Sequence, residues 1–388
     1  MKMNDNRLFL LHPDEVGRRV GKVIEEMNAD GADELIIADN ANKYYLTGRV
    51  FAGWLTVSAH GDVMAYVRRP VHLQGDNVTF VRKPEEIRVG GRTVGLELAT
   101  LSASDYLRIS AMLDGRNVVN ASAVMRRARA VKTPFEIEKI AESGRRQDKV
   151  YRTIPELYRP GMTDLDLQIE IEGALRRAGC LGQFRISGDS MELFMGNILV
   201  GDNADNPTPY DFAMGGAGVD PSLPVGADGT VIRPGDSVMV DANGNFNGYM
   251  TDMTRTFALG DIAPEAMRAH ECSIAICARL AALGVPGVNA SALYEEAARM
   301  AAEAGFSDFF MGHRQHAGFV GHGVGIEINE APVIAPRSKD ILAEGNVIAI
   351  EPKFVIPGTG AVGIENTYVV ENGGMRCLTL TPQEILQL

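Results

Sequence analysis

At 388 residues, with 45% hydrophobic and 23% charged residues, the chain has the composition of a soluble globular protein and is too long for one ordinary core, so two domains are expected. A net charge of −12 leaves no basic surplus to neutralise phosphates, which argues against a nucleic-acid partner. No apolar run approaches the roughly 18 residues of a membrane span, and the leading segment MKMNDNRLFLLHPDE lacks the long apolar run of a signal peptide.

In chain order, a helix is predicted over Asp14 to Asn28. Short β runs follow from about Glu34 to Thr100, namely ELIIAD, WLTVSA, DVMAYV, NVTFV and TVGLEL, with a further helix over Ser104 to Leu113. This mixture predicts a small α/β domain with a central sheet over residues 1–128. It carries no catalytic constellation, and His60 and His72 stand isolated.

A second domain is expected over 129–388. Thr133-Pro134-Phe135-Glu136 is a helix start, with threonine to cap, proline in the first turn and glutamate to complete the box. Ile137, Ile140, Ala141 and Gly144 then follow one helical stripe. A helix is also predicted from Thr163 to just before Gly179, although its LDLQIEIE segment alternates like a strand. Between them and the later helices lies Gly201 to Thr230, a long run of turn formers. A loop of this length is expected to face substrate or an interface. Its GGAG run is no dinucleotide fingerprint, because no strand precedes it and no helix follows. Two more helices are predicted, Pro264 to Leu283 and Asn289 to Ala304, stopped by Gly284 and Gly305. Strands bearing acidic residues separate and follow the two helix pairs. The expectation is an α+β domain with an antiparallel sheet and an internal pseudo-repeat, although no sequence identity supports the repeat. The four cysteines, Cys180, Cys272, Cys277 and Cys377, show no CxxC spacing and read as buried, reduced thiols in a cytoplasm.

Five residues carry the chemistry: Asp241, Asp252, His322, Glu351 and Glu365. Each sits where a short apolar run meets glycine, proline or asparagine. SVMVD ends at Asp241, YMTDMTRTF carries Asp252, and Asn245-Phe246-Asn247-Gly248 supplies turn residues between them. A hairpin centred between Phe246 and Asn247 would set the two aspartates opposite or nearly opposite each other. NVIAIEP ends at Glu351, AVGIENTYVV opens with Glu365, and their midpoint is Gly358. Facing carboxylates repel each other without a counter-ion. His322, flanked by Gly321 and Gly323, adds an imidazole. One nitrogen and four carboxylates suit two divalent ions of manganese, cobalt, iron or zinc, with a bridging hydroxide as nucleophile. Taken singly, each aspartate would read as a cap or turn residue and the histidine as structural. The paired hairpins favour a metal site.

The stretches VDANGNFNGYMTDMTRTF, GHGVGIEINEAP, IAIEPKFVIPG and AVGIENTYVV resemble the methionine aminopeptidase, prolidase and creatinase family, whose catalytic domain is the pita-bread fold. The resemblance runs from about Arg127 to the C-terminus. The leading α/β domain, with Tyr44-Tyr45-Leu46-Thr47-Gly48, is similar to the creatinase-type domain of prolidases and aminopeptidase P. It implies that Asp241 binds one metal, His322 and Glu351 the other, and that Asp252 and Glu365 bridge them. Glu351 is further implied as the group that moves the proton of the attacking water. Thr254 and Arg255 are implied as supporting residues. A homodimer is also implied.

The departures concern substrate. Proline-specific members carry a histidine where this chain has Asn329, in Asn329-Glu330-Ala331-Pro332, and another upstream of the first aspartate, where no histidine occurs between His72 and His270. The nearest motif there contains Tyr210, and His316 stands as a candidate replacement. Lys353 stands where glycine often follows Glu-Pro, and Gly363 where many members have arginine. The leading expectation is an Xaa-Pro-type dipeptidase or aminopeptidase acting on peptide amides. The alternatives are a hydrolase or lyase of a small non-peptide substrate, or a metal-free creatinase-like or binding protein.

Overall fold

The chain divides after Arg129 into two units, Met1–Arg129 and Ala130–Leu388, in a computed structural model that describes residues 5–186, 194–210, 212 and 214–388. The first unit contains α1 (Pro13–Ala29), β1 (Glu34–Ile37), α2 (Asn40–Thr47), β2 (Ala52–Ser58), β3 (Val63–Arg69), β4 (Val78–Phe80), β5 (Thr93–Leu96), α3 (Ala103–Met112), β6 (Asn117–Asn120) and α4 (Ser122–Ala130). Its sheet runs β4-β3-β2-β1-β5-β6, antiparallel through the β1–β2–β3 meander and parallel on both flanks. All four residues of β1 are buried, as a central strand covered on both faces requires. Helices α2 and α4 and strand β6 were not expected. The aromatic composition of Tyr44–Tyr45 hides α2, yet Asp39 caps it by accepting from the Ala41 and Asn42 N–H groups, and Gly48 closes it in the left-handed conformation.

The second unit contains α5 (Pro134–Tyr151), α6 (Ile154–Leu157), α7 (Asp164–Arg177), β7 (Gly196–Val200), β8 (Ser237–Ala242), β9 (Gly244–Asn245), β10 (Met250–Thr251), β11 (Thr254–Ala258), α8 (Pro264–Leu283) and α9 (Ala290–Glu303). It continues with β12 (Gly321–Gly323), β13 (Glu330–Ile334), β14 (Val347–Ile350), β15 (Lys353–Ile356), β16 (Gly360–Gly363), β17 (Asn366–Glu371), β18 (Gly374–Cys377) and β19 (Leu386–Gln387). Thr133 and Glu136 form the capping box of α5. A second box, Thr163 with Asp166, starts α7. That cap, with Leu167, Ile171 and Leu175 buried at helical spacing, overrides the strand-like alternation of LDLQIEIE.

Each helix pair packs with its own strands. Tyr151, Leu167 and Ile171 from the first pair meet Ile198, Val240 and Phe257. Ile276, Leu280 and Leu293 from the second meet Ile348, Phe354 and Val362. The strands form a sheet β19-β11-β8-β7, a second sheet β13-β12-β14-β17-β18, and the hairpins β9–β10 and β15–β16. The twofold plan absent from sequence identity is therefore present in the packing. Among the described residues, no helix is long and apolar enough to cross a membrane.

Candidate metal centre

The five acidic and imidazole groups reach one place because two ladders set their registers. Strands β14 and β17 pair Val347 with Val369 and Ile350 with Asn366, while β15 and β16 pair Lys353 with Gly363 and Ile356 with Gly360. Both ladders turn about Gly358, so Glu351 and Glu365 fall across from each other at their junction. The first hairpin is offset from the simplest expectation. Asp241 pairs with Thr254, not Asp252, and Met250 pairs with Asn245, which moves the turn centre one residue toward the C-terminus. Asp252 thus lies two positions from the rung of Asp241, at the diagonal spacing that long side chains still bridge.

Local contacts then fix each group. Tyr151 Oη accepts from the Ala242 N–H at 2.9 Å and donates to the Met253 carbonyl at 2.7 Å, tying the ends of the two aspartate strands together. Gln147, one turn earlier on α5, accepts from Thr251 Oγ1 at 2.7 Å. The Asp252 N–H donates to Thr367 Oγ1 at 2.9 Å, and the same hydroxyl donates to the Asp252 carbonyl at 2.8 Å. His322 sits at the centre of β12, where a side chain at Gly323 would run into the Ala331 carbonyl. Thr254 Oγ1 donates to Glu365 Oε2 at 2.7 Å. Arg255, fully buried, donates to the carbonyls of Glu365, Thr381 and Pro382, a structural role.

Two clusters result. Asp252, His322 and Glu365 offer ligand atoms within 4.8 Å of one another, and so do Asp241, Glu351 and Glu365. Glu351 touches both, with Oε1 3.3 Å from His322 Nε2 and Oε2 2.7 Å from Lys353 Nζ. The Lys353 ammonium also lies 2.7 Å from Asp241 Oδ2 and 3.2 Å from Glu365 Oε2. Its side chain is wholly buried.

Burial and mutual charge shape the titration of these groups. Burial, then Asp241, pushes the Asp252 carboxyl up to about 7. Burial, then Asp252 and Glu351, pushes Glu365 well above the usual carboxylate range. Burial would also raise Glu351, but Lys353 and His322 outweigh it and hold that carboxyl at about 2. Burial would lower His322, but Glu351 and Asp252 outweigh it and push the imidazole up to about 9. Burial and neighbouring carboxylates push Asp252 and Glu365 toward the protonated form, and a divalent cation bound between them would take the place of those protons. The fit is good at Asp252, His322 and Glu365, where Glu365 Oε1 is buried with no hydrogen-bond partner. It fails at Asp241, Glu351 and Glu365, whose oxygens already surround an ammonium.

The remaining candidates are His316, Tyr210 and Asn329. His316 is exposed, its Nδ1 2.9 Å from the Phe310 carbonyl. Tyr210 is half-buried beside Phe212, ring centroids 6.1 Å apart. Asn329 is half-buried just before β13. Residues 211 and 213 of the Gly201–Thr230 loop lie outside the described residues. Elsewhere that loop is anchored, with Asp205 accepting from the Arg314 N–H at 2.9 Å and the Thr208 N–H donating to Gln315 at 3.0 Å. Sequence reasoning gave no role to Tyr151 or Gln147, and it placed Lys353 among the substrate-side departures, whereas its ammonium sits among the candidate ligand carboxylates. Gln147 and Tyr151 are four apart on the buried face of α5, a spacing at which polar side chains signal a structural task.

Residues 138–372 match the model of metallopeptidase family M24. The chain belongs to that family. Residues 19–131 match the creatinase/prolidase N-terminal domain. The Xaa-Pro dipeptidase of Pyrococcus furiosus is 27% identical over 378 residues, spanning 95% of this chain and 99% of its own. Among solved structures, an Xaa-Pro dipeptidase from Bacillus anthracis gives a TM-score of 0.80 at 22% identity, covering 96% of this chain and 100% of that one. The prolidase of Pyrococcus horikoshii gives 0.78 at 24% identity, covering 95% and 99%. At such identities the structures establish the fold: pita-bread with a creatinase-type leading domain. As an M24 member, the chain is a hydrolase of the metallopeptidase class. Two of its departures, Lys353 and Gly363, face each other on one rung of the β15–β16 ladder.

Proposed function

We propose that this M24 member hydrolyses peptide amide bonds with a divalent cation held by Asp252, His322 and Glu365, and that Xaa-Pro dipeptides are its first substrate class. The observation that carries the reading is the convergence of those three ligand groups, with an unpartnered Glu365 oxygen among them. A cation bound there supplies Lewis acidity toward a scissile carbonyl and a water. The protein's own groups do the rest. Glu351 stays ionised beside Lys353 and His322, so it is set to accept the proton of an attacking water. Thr254 fixes the Glu365 carboxylate in orientation. Manganese, cobalt, iron and zinc all suit this donor set. The two-cation arrangement with a bridging hydroxide, expected from the resemblance, meets Lys353 at its other position.

A second reading keeps the centre and changes the substrate to a small non-peptide amide. It is favoured by the shell: Asn329 replaces a titratable ring, and His316 is turned to its own loop. We further infer a cytoplasmic location, in keeping with four free cysteines, and a homodimer, as the family resemblance implies. The test is a panel of Xaa-Pro dipeptides beside non-proline dipeptides and small amides, with each of the four metals added. Free amino acid from the Xaa-Pro set supports the first reading. Turnover confined to small amides supports the second. No turnover of any amide with metal bound overturns both.

A further inference from the structure

Resting on the metal-dependent reading above, we propose that the Lys353 side chain takes the place of one of two cations, so that the site holds a single divalent ion, at Asp252, His322 and Glu365. An ammonium has three donors and no acceptor. Here all three are spent on three carboxylates, Asp241 and Glu351 at 2.7 Å and Glu365 at 3.2 Å. Those are the same three residues that compose the second candidate cluster. A transition-metal ion there would need their oxygens converging at roughly 2.0–2.2 Å on a point the nitrogen already holds.

The lysine cannot readily vacate. Its side chain is wholly buried and its backbone is locked in the β15–β16 ladder, opposite Gly363. Its carbonyl also accepts from the Met311 N–H at 2.8 Å. A displaced ammonium would have to shed three ionic partners inside a packed core, where an uncompensated charge is strongly disfavoured. The other cluster differs in kind: Glu365 Oε1 lacks a partner, and the Asp252 and His322 side chains each retain 12% exposure, a way in for an ion.

The experiment is metal counting on the full chain. Purified protein is stripped with chelator, incubated with excess manganese, desalted and analysed by mass spectrometry and electron paramagnetic resonance. The expected result is one manganese per chain with the six-line signal of an isolated ion. Lys353→Gly should take up a second manganese and show a spin-coupled pair, and Lys353→Met, of similar volume, reports whether removing the charge alone suffices. Circular dichroism confirms that each variant is folded. Two ions in the unaltered protein, or one ion in a folded Lys353→Gly, would overturn the proposal. No bound ion would overturn both it and the metal-dependent reading. One ion with no peptide cleavage retires the peptidase reading and leaves this inference standing.

Discussion

Thr254 makes one hydrogen bond to the candidate centre, and its loss should be read in affinity before stability. Without the hydroxyl, the buried Glu365 Oε2 keeps only the longer hydrogen bond from Lys353 Nζ, at 3.2 Å. Thr254→Val should therefore weaken manganese binding about 10–100-fold, measured by competition with a chromophoric chelator, with circular dichroism unchanged. A larger insult is expected at Gly323, where an added methyl group would meet the Ala331 carbonyl beside His322. Gly323→Ala should displace β12 and abolish manganese uptake; retention of full affinity would show that the strand can yield. In the first unit, burial depresses the Lys43 ammonium to about 8, against the partial opposition of Asp39 and Glu97. The unfolded chain then holds a proton on this side chain that the folded one lacks between about pH 8 and 10.5, so stability from this group rises with pH across that window. The difference in unfolding free energy between the natural protein and Lys43→Met should grow over the same interval, measured by urea denaturation. At this scale the sequence was informative about identity and silent about reach. Asp241, Asp252, His322, Glu351 and Glu365 announced themselves by apolar flanks and turn residues. Lys353 stood out only as a departure, because nothing in periodicity says that its nitrogen ends among three carboxylates.

Among the elements, α5 links folding to the centre. Its Thr133–Glu136 box starts the helix, and its last turns deliver Gln147 and Tyr151 to the backbones that carry the aspartates. Tyr151→Phe removes a hydroxyl that is both donor and acceptor to buried peptide groups. It should cost about 1–3 kcal/mol in denaturant unfolding. The helices were legible because their caps and stops are chemical signals independent of context. The second hairpin was legible too, since its tip Pro357-Gly358-Thr359-Gly360 fixes a register that both flanking ladders keep. The first was readable only to within one residue of its centre. Asn245, Asn247 and Gly248 all favour turns, and side-chain ties to Gln147 and Tyr151, distant in sequence, decide among them. Besides its aromatic residues, the position of its cap hid α2: Asp39 lies just after a strand whose apolar run dominates the reading.

For the whole molecule, a bound ion should stabilise one unit and leave the other untouched, since all five groups belong to Ala130–Leu388. Hydrogen exchange with and without manganese should show added protection along β8, β11, β12, β14 and β17, with residues 5–129 unchanged. At an ion concentration 100 times the dissociation constant, the gain is about 2.7 kcal/mol. The two apolar clusters give that gain a particular location. Asp241 and Asp252 come from the strands packed by the first helix pair, and His322, Glu351 and Glu365 from those packed by the second. Neither half owns a complete donor set, so the ion and the lysine act as stitches across a seam. Halves cut apart in the α8 approach and mixed should recover ion binding only when they have found each other, which makes a metal titration a direct reporter of that reunion.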